Sequence, residues 1–237
     1  MQDFENFTYL DLQKTGSTYV VRFLRVCSLS EEKKFKKHDW IRDDYNKRCF
    51  YFITIREPLS LYSSLYRYGL EKKGALYKRL LKKKLLHFYD SFNNFTEFLL
   101  DSENANLLDS GYNKYIANQI GFMSFRFMKL SMQFPLQKIH NCLNKGIELL
   151  SLENDFITNI ELKNEFLNDE LLNLTQNIIP EHFDQDKVQD FINRDRKINK
   201  SKITKHEIDM DLSDENFKNF CKKERLLISR YKQQNIF

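Results

Sequence analysis

The apolar positions of this chain fall into two kinds of pattern. Residues 7–12 and 49–55 are short runs rich in aromatic and β-branched side chains, the second reading Cys-Phe-Tyr-Phe-Ile-Thr-Ile. Runs of that kind suit strands buried on both faces, as in a parallel sheet. Elsewhere apolar residues recur at helical spacing. Tyr19, Val20, Phe23, Leu24 and Cys27 predict a helix over 16–28, and Leu61, Tyr62, Leu65 and Tyr66 predict another from Pro58 to Gly69. A proline at a helix start costs nothing, because the first N–H groups have no intrahelical partner. Further along, the pattern predicts a highly basic helix over 75–88, a helix opening at Phe95 and a third strand over 147–152. The stretch 155–191 reads as helical and amphipathic in patches. A final helix over about 213–231 places Phe217, Phe220, Leu226, Leu227 and Tyr231 near one face. Strands alternating with helices imply an α/β fold with a parallel sheet. Six glycines and three prolines punctuate the chain without a linker or a repeat, so a single domain over 1–237 is expected.

Bulk properties narrow this only a little. A chain of 237 residues with 41% hydrophobic and 14% aromatic residues can bury a sizeable core and is not a disordered composition. The formal charge of +5 suits an enzyme for anionic substrates without demanding one. Cys27, Cys49, Cys142 and Cys221 lie far apart, with no spacing for zinc or redox work, and free thiols in a reducing compartment are expected. No run approaches the roughly 18 apolar residues of a membrane span, so no span and a cytoplasmic location, or a trimmed catalytic domain, are expected. The Asn-x-Ser/Thr triplets at Asn6, Asn94, Asn173 and Asn199 are then chance matches.

Two segments carry chemistry. The first, Tyr9-Leu10-Asp11-Leu12-Gln13-Lys14-Thr15-Gly16-Ser17-Thr18, runs from strand through a small-residue turn into a helix start. Helix N-termini present unpaired N–H groups and the positive end of the helix dipole, which favours a bound anion. Lys14 adds charge, Thr15, Ser17 and Thr18 add hydroxyls, and Gly16 permits close backbone approach. The same hydroxyl residues also suit ordinary helix capping. The order Gly-x-x-x-x-Gly-Lys-Ser/Thr of an ATP-binding loop is absent, since Lys14 precedes the segment's one glycine. The second segment is the apolar run ending Thr54-Ile55-Arg56-Glu57-Pro58, with Ser64 eight positions after the arginine.

Together these segments resemble the donor-binding motifs of sulfotransferases. The first is similar to their 5′-phosphosulfate loop and the second to their 3′-phosphate motif, in the same order along the chain. The resemblance implies a P-loop-like α/β core and use of 3′-phosphoadenosine-5′-phosphosulfate (PAPS) as sulfuryl donor, with 3′,5′-adenosine bisphosphate (PAP) as product and no metal. It further implies that Lys14 assists the leaving oxygen, and that Thr15, Gly16, Ser17 and Thr18 hold the phosphosulfate. By the same resemblance Arg56 and Ser64 hold the 3′-phosphate, while Ser201 and Lys202 belong to a late basic loop over the nucleotide. Gln13 and Leu61 stand where the family often has proline and a second arginine.

The acceptor side is less defined. The wording of the motifs resembles glycan enzymes, so a carbohydrate hydroxyl is the expected acceptor. Their histidine element between the donor motifs has a counterpart in Lys37-His38, making His38 the candidate base, with Glu31 and Glu32 as rivals. The cations Lys72, Lys73, Lys78, Arg79, Lys82, Lys83 and Lys84 fit either a solvated helix face or a surface for an acidic glycan. Nucleic acid is a poorer partner, since the basicity is local and no nucleic-acid motif accompanies it. Two other readings compete: a divergent P-loop kinase-like phosphotransferase, and a non-catalytic nucleotide-binding protein of the same fold.

Overall fold

The structure, a computed structural model, describes residues 1–41, 45–194 and 210–233. Ser201 and Lys202 therefore lie outside the described residues. The described chain groups into two compact units. One contains a sheet and comprises the described residues of 1–57, 129–135 and 155–194; the other takes 58–128, 136–154 and 210–233.

The first unit is α/β. Its sheet has five strands: β1 (Gln2–Asp3), β2 (Phe7–Leu10), β3 (Lys34–Phe35), β4 (Phe50–Ile55) and β5 (Ile160–Lys163). Their spatial order is β3-β1-β2-β4-β5. β2 and β4 pair in parallel from Phe7↔Phe50 to Leu10↔Ile53, and β4 continues in parallel to β5 from Phe52↔Ile160 to Ile55↔Lys163. β1 is antiparallel to both β2 and β3, so the sheet is mixed with a parallel centre rather than wholly parallel. The two added strands are two residues long, too short to carry an alternating pattern. The edge strand β3 is exposed and begins with a lysine, which disfavours pairing with other chains. The guanidinium of Arg25 lies 4.8 Å over the Phe35 ring on that edge.

Helix α1 (Ser17–Cys27) buries Val20, Phe23, Leu24 and Cys27, the i, i+3, i+4, i+7 stripe read in the sequence. That stripe meets Phe7, Tyr9, Phe52 and Leu162 of the sheet in one core, which also takes Val188 and Phe191 of the helix Gln185–Asn193. Phe23 and Phe191 cross edge to face with centroids 5.3 Å apart.

The third parallel strand departs from the sequence reading. Residues 149–155 form a 3₁₀ helix (Leu149–Asp155) that buries Leu149 and Leu152, and the strand comes from Ile160–Lys163 within the stretch read as helical. Its charged residues disguised it: Glu161 is 1% and Lys163 3% exposed, although a carboxylate and an ammonium alternating with apolar residues read as a surface.

The second unit is helical among its described residues. It opens with α2 (Pro58–Leu70), α3 (Gly74–Lys82) and, after a 3₁₀ turn over Leu86–Tyr89, α4 (Phe92–Leu100). Tyr66, Tyr89, Phe92 and Phe95 pack as a ring cluster with centroids 5.0–6.0 Å apart. α3 is shorter than the basic stretch predicted because it ends in a Schellman motif. The N–H of Leu85 bonds Leu80 O at 2.9 Å and that of Lys84 bonds Leu81 O at 3.1 Å, with Lys84 at φ 59°. Glycine normally marks that position; a lysine there gave no signal. α4 begins earlier than Phe95 because Ser91 caps it, its side chain accepting from the Asn94 N–H.

The expected last helix is two helices, Asp214–Lys223 and Arg225–Gln233, separated at Glu224. The Glu224 carboxylate is fully buried and accepts from Tyr62 Oη (2.6 Å), Ser124 Oγ (2.6 Å), Ser124 N (2.7 Å) and Met123 N (3.0 Å). It thus caps the start of the helix Phe122–Ser131 from a distant part of the chain. Burial pushes its carboxyl above the usual value, against the pull of these donors. A side chain at Gly121 would approach Glu224 Oε1 to 2.3 Å, so the cap requires glycine there. Glu224→Gln turns an amide N–H₂ toward donors and should cost about 3 kcal/mol of stability. Urea unfolding with the midpoint and slope both measured checks this; a loss under about 1 kcal/mol would show that the carboxylate is not the cap.

Candidate functional site

The site is built where β2 and β4 end, at the carboxyl edge of the parallel strands, where open α/β sheets bind ligands. After Leu10 the chain turns twice through left-handed backbone, at Lys14 (φ 67°) and at Gly16 (φ 85°), before α1 begins. Such alternation aims consecutive N–H groups into one concavity. Gly16 is required twice over. Its φ disfavours a side chain, and a Cβ would come within 2.6 Å of Asn164 Nδ2 and 2.9 Å of Leu167 Cδ2.

Hydrogen bonds hold the turn to the sheet. Thr15 is fully buried; its hydroxyl donates to Leu12 O at 2.8 Å and lies 2.6 Å from Thr54 Oγ1, which is 2.7 Å from Tyr9 Oη. Thr15 therefore contributes its backbone to the concavity, while its hydroxyl joins the loop to β4. Burial and the nearby Asp11 hold the Tyr9 hydroxyl well above its ordinary pKa, so it stays protonated as a donor.

The helix end itself is open. The N-cap, Gly16, has no side chain to cap α1, and the N–H groups of Tyr19 and Val20 turn back to Gly16 O at 2.9 and 3.2 Å. The N–H groups of Ser17 and Thr18 have no such partner among the described residues. Thr18 is exposed, and Lys14 and Gly16 are partly buried beside it in the chain. Arg56, the residue after β4, donates from Nη1 to Lys14 O at 3.3 Å. The two segments singled out in the sequence, 42 residues apart, thus meet in space.

His38 joins the same corner. It stands at φ 55°, and its Nδ1 is 2.9 Å from the main-chain oxygen of Asp11 and 3.3 Å from Asp11 Oδ1. Asp11 was not singled out in the sequence, although a carboxylate continuing a buried strand directly into the glycine turn was a legible signal. Asn164, which closes the far side of Gly16, carried none. Of the rival bases, Glu32 is engaged by Arg25 (Nε 2.9 Å, Nη2 3.1 Å) and by Gln2 Nε2 (2.5 Å), and Glu31 is exposed. The Arg25 hydrogen bond holds the Glu32 carboxyl below its ordinary value. Ser64 lies partly buried on α2, in the helical unit.

No helix among the described residues is long and apolar enough to cross a membrane. No family model, curated protein or solved structure matches the chain.

Burial opposes the charge on Asp11, but hydrogen bonds from His38 and Ser17 and the field of the Met1 amine outweigh it and lower its pKa. A carboxyl lowered by folding contributes stability that is complete above the unfolded value, about 3.9, and is lost as pH falls through the folded one. Asp11→Asn lacks that contribution. Thermal unfolding of both proteins from pH 5 downward should show a gap that narrows below about pH 4. A gap that widens toward acid would contradict the ionised, hydrogen-bonded Asp11.

Proposed function

We propose that the chain is a PAPS-dependent sulfotransferase with a P-loop-like core, acting on a hydroxyl of a carbohydrate acceptor. The observation that carries this reading is the Arg56–Lys14 contact. It sets the arginine of one donor motif against the lysine turn of the other, at an uncapped helix start and at the carboxyl edge of parallel strands.

The residues suit such a donor. The open N–H groups of Ser17 and Thr18, the left-handed turns at Lys14 and Gly16 and the cation of Lys14 would hold a phosphosulfate. The guanidinium of Arg56 would hold a second phosphate, in the role the resemblance gives it. The bound donor supplies an activated sulfuryl group on a good leaving group. Against it, Lys14 would meet the negative charge that grows on the bridging oxygen, and His38 would accept the acceptor's proton.

Arg56→Ala removes a charge-assisted contact and should weaken adenosine bisphosphate by about 30- to 150-fold, while AMP, lacking the 3′-phosphate, binds the wild type far more weakly. Titration calorimetry decides it; wild-type protein that binds both nucleotides equally would refute the 3′-phosphate assignment. Lys14→Ala should reduce turnover more than donor affinity, because its contact strengthens only as the leaving oxygen gains charge. Transfer of labelled sulfate to a glycan pool is the assay, and a near-normal rate would remove Lys14 from the chemistry.

A further inference from the structure

Asp11 and His38 are 27 residues apart, yet the fold presses them together through three contacts. His38 Nδ1 faces the Asp11 main-chain oxygen at 2.9 Å and its Oδ1 at 3.3 Å, and the His38 N–H points at Oδ2 at 3.4 Å. A main-chain oxygen only accepts, so in the neutral ring Nδ1 carries the proton and Nε2 carries the lone pair. The backbone contact holds His38 in a left-handed conformation unfavourable for a residue with a side chain, and such strain persists where surrounding structure enforces it. Exposure divides the pair in a useful way. The Asp11 side chain is 1% exposed and that of His38 27%, so the acid is sealed behind a ring that reaches the surface.

We propose that Asp11 is the positioning residue of a proton-accepting pair: it holds His38 by Nδ1, directs Nε2 outward as the accepting atom and faces the imidazolium that forms. The pairing stands on geometry; the reaction it serves rests on the sulfotransferase reading above. Asp11 precedes the Lys14–Gly16 turn by three residues, and Ser17 at the helix start favours its ionised form. Apart from the His38 contact, Asp11 Oδ1 receives no hydrogen bond among the described residues, so its charge is directed at the ring. Among the charged groups around the pair, the Met1 amine lies in the field of Asp11 and Asp39, Lys36 pairs with Asp39 at 3.1 Å, Lys37 is exposed next to His38 in the chain, and Lys14 and Arg56 belong to the adjoining turn.

The acceptor O–H breaks, its proton goes to Nε2, and its electron pair forms the new oxygen–sulfur bond. The bond from sulfur to the bridging oxygen breaks, and its electron pair leaves with adenosine bisphosphate. Asp11 stays ionised, opposite the positive ring, until the imidazolium returns its proton to water.

The first test needs no donor and no turnover. Long-range ¹H–¹⁵N spectra of the wild-type chain at pH 8, with His38→Gln to assign the signals, should show His38 protonated at Nδ1 and bare at Nε2. The opposite tautomer overturns the proposal. Asp11→Asn keeps an acceptor oxygen but removes the charge. It should lower kcat about 10- to 150-fold and leave adenosine bisphosphate affinity within about twofold. In acid the His38 Nδ1–H resonance should move upfield relative to wild type. Unchanged turnover with an unchanged resonance overturns the role of the carboxylate. The wild-type tautomer decides the pairing even if Asp11→Asn does not fold. An Nδ1–H tautomer in a protein that transfers no sulfuryl group to any glycan overturns the sulfotransferase reading and leaves the pair intact.

Discussion

The parallel pairing of β2 with β4 is the constraint on which the site depends. Once Phe7 lies beside Phe50 and Leu10 beside Ile53, both strands must end at one edge of the sheet. The turn that follows β2 and the arginine that follows β4 then have nowhere else to go. Aromatic and aliphatic residues on both faces enforce the register, because a one-residue slip would turn Tyr9 and Phe52 out of the core they share with α1. The Thr15–Thr54–Tyr9 hydroxyl chain then joins the turn to the neighbouring strand, so the backbone that would meet an anion is held by buried hydrogen bonds rather than by the anion itself. Preorganisation of that kind lowers the ordering cost of binding.

Buried carboxylates do comparable work in both units. Asp11 meets both the ring and the backbone N–H of His38, 27 residues further along the chain. Glu224 gathers four donors and starts a helix about 100 residues earlier in the chain. In each case desolvation opposes the charged acid; the donors outweigh it at Asp11 and only partly counter it at Glu224. The difference lies in access. Glu224 is enclosed on all sides and organises packing, whereas Asp11 backs onto a partly exposed imidazole and can take part in chemistry.

The functional reading draws on these features jointly. An uncapped helix start alone would be common, and an arginine after a strand would be too. Their contact brings both onto one frame, which is what the proposed nucleotide, with phosphates at two positions, would need. His38, held against Asp11 beside the turn, is the group that would accept a proton under the proposed function.

The sequence by itself determined the elements whose side chains report their own surroundings. The runs of β2 and β4, the stripe of α1 and the Pro58 start of α2 carry aromatic, β-branched or ring-restricted residues whose preferences match where they end up. The turn at Lys14–Gly16 was legible from its glycine, lysine and hydroxyl residues, whereas only the parallel pairing of β2 with β4 brings Arg56 to it. Tertiary structure decided what local preference could not express. Strand β5 is hidden by Glu161 and Lys163, which read as surface until they are buried. Lys84 ends α3 in a conformation that glycine normally announces. β1 and β3 are too short to show a period and exist because the neighbouring strands offer them partners. The Asp11–His38 contact is of this second kind. Neither residue favours the other locally, and only a sheet that returns the chain 27 residues later to the same edge sets a carboxylate behind an imidazole.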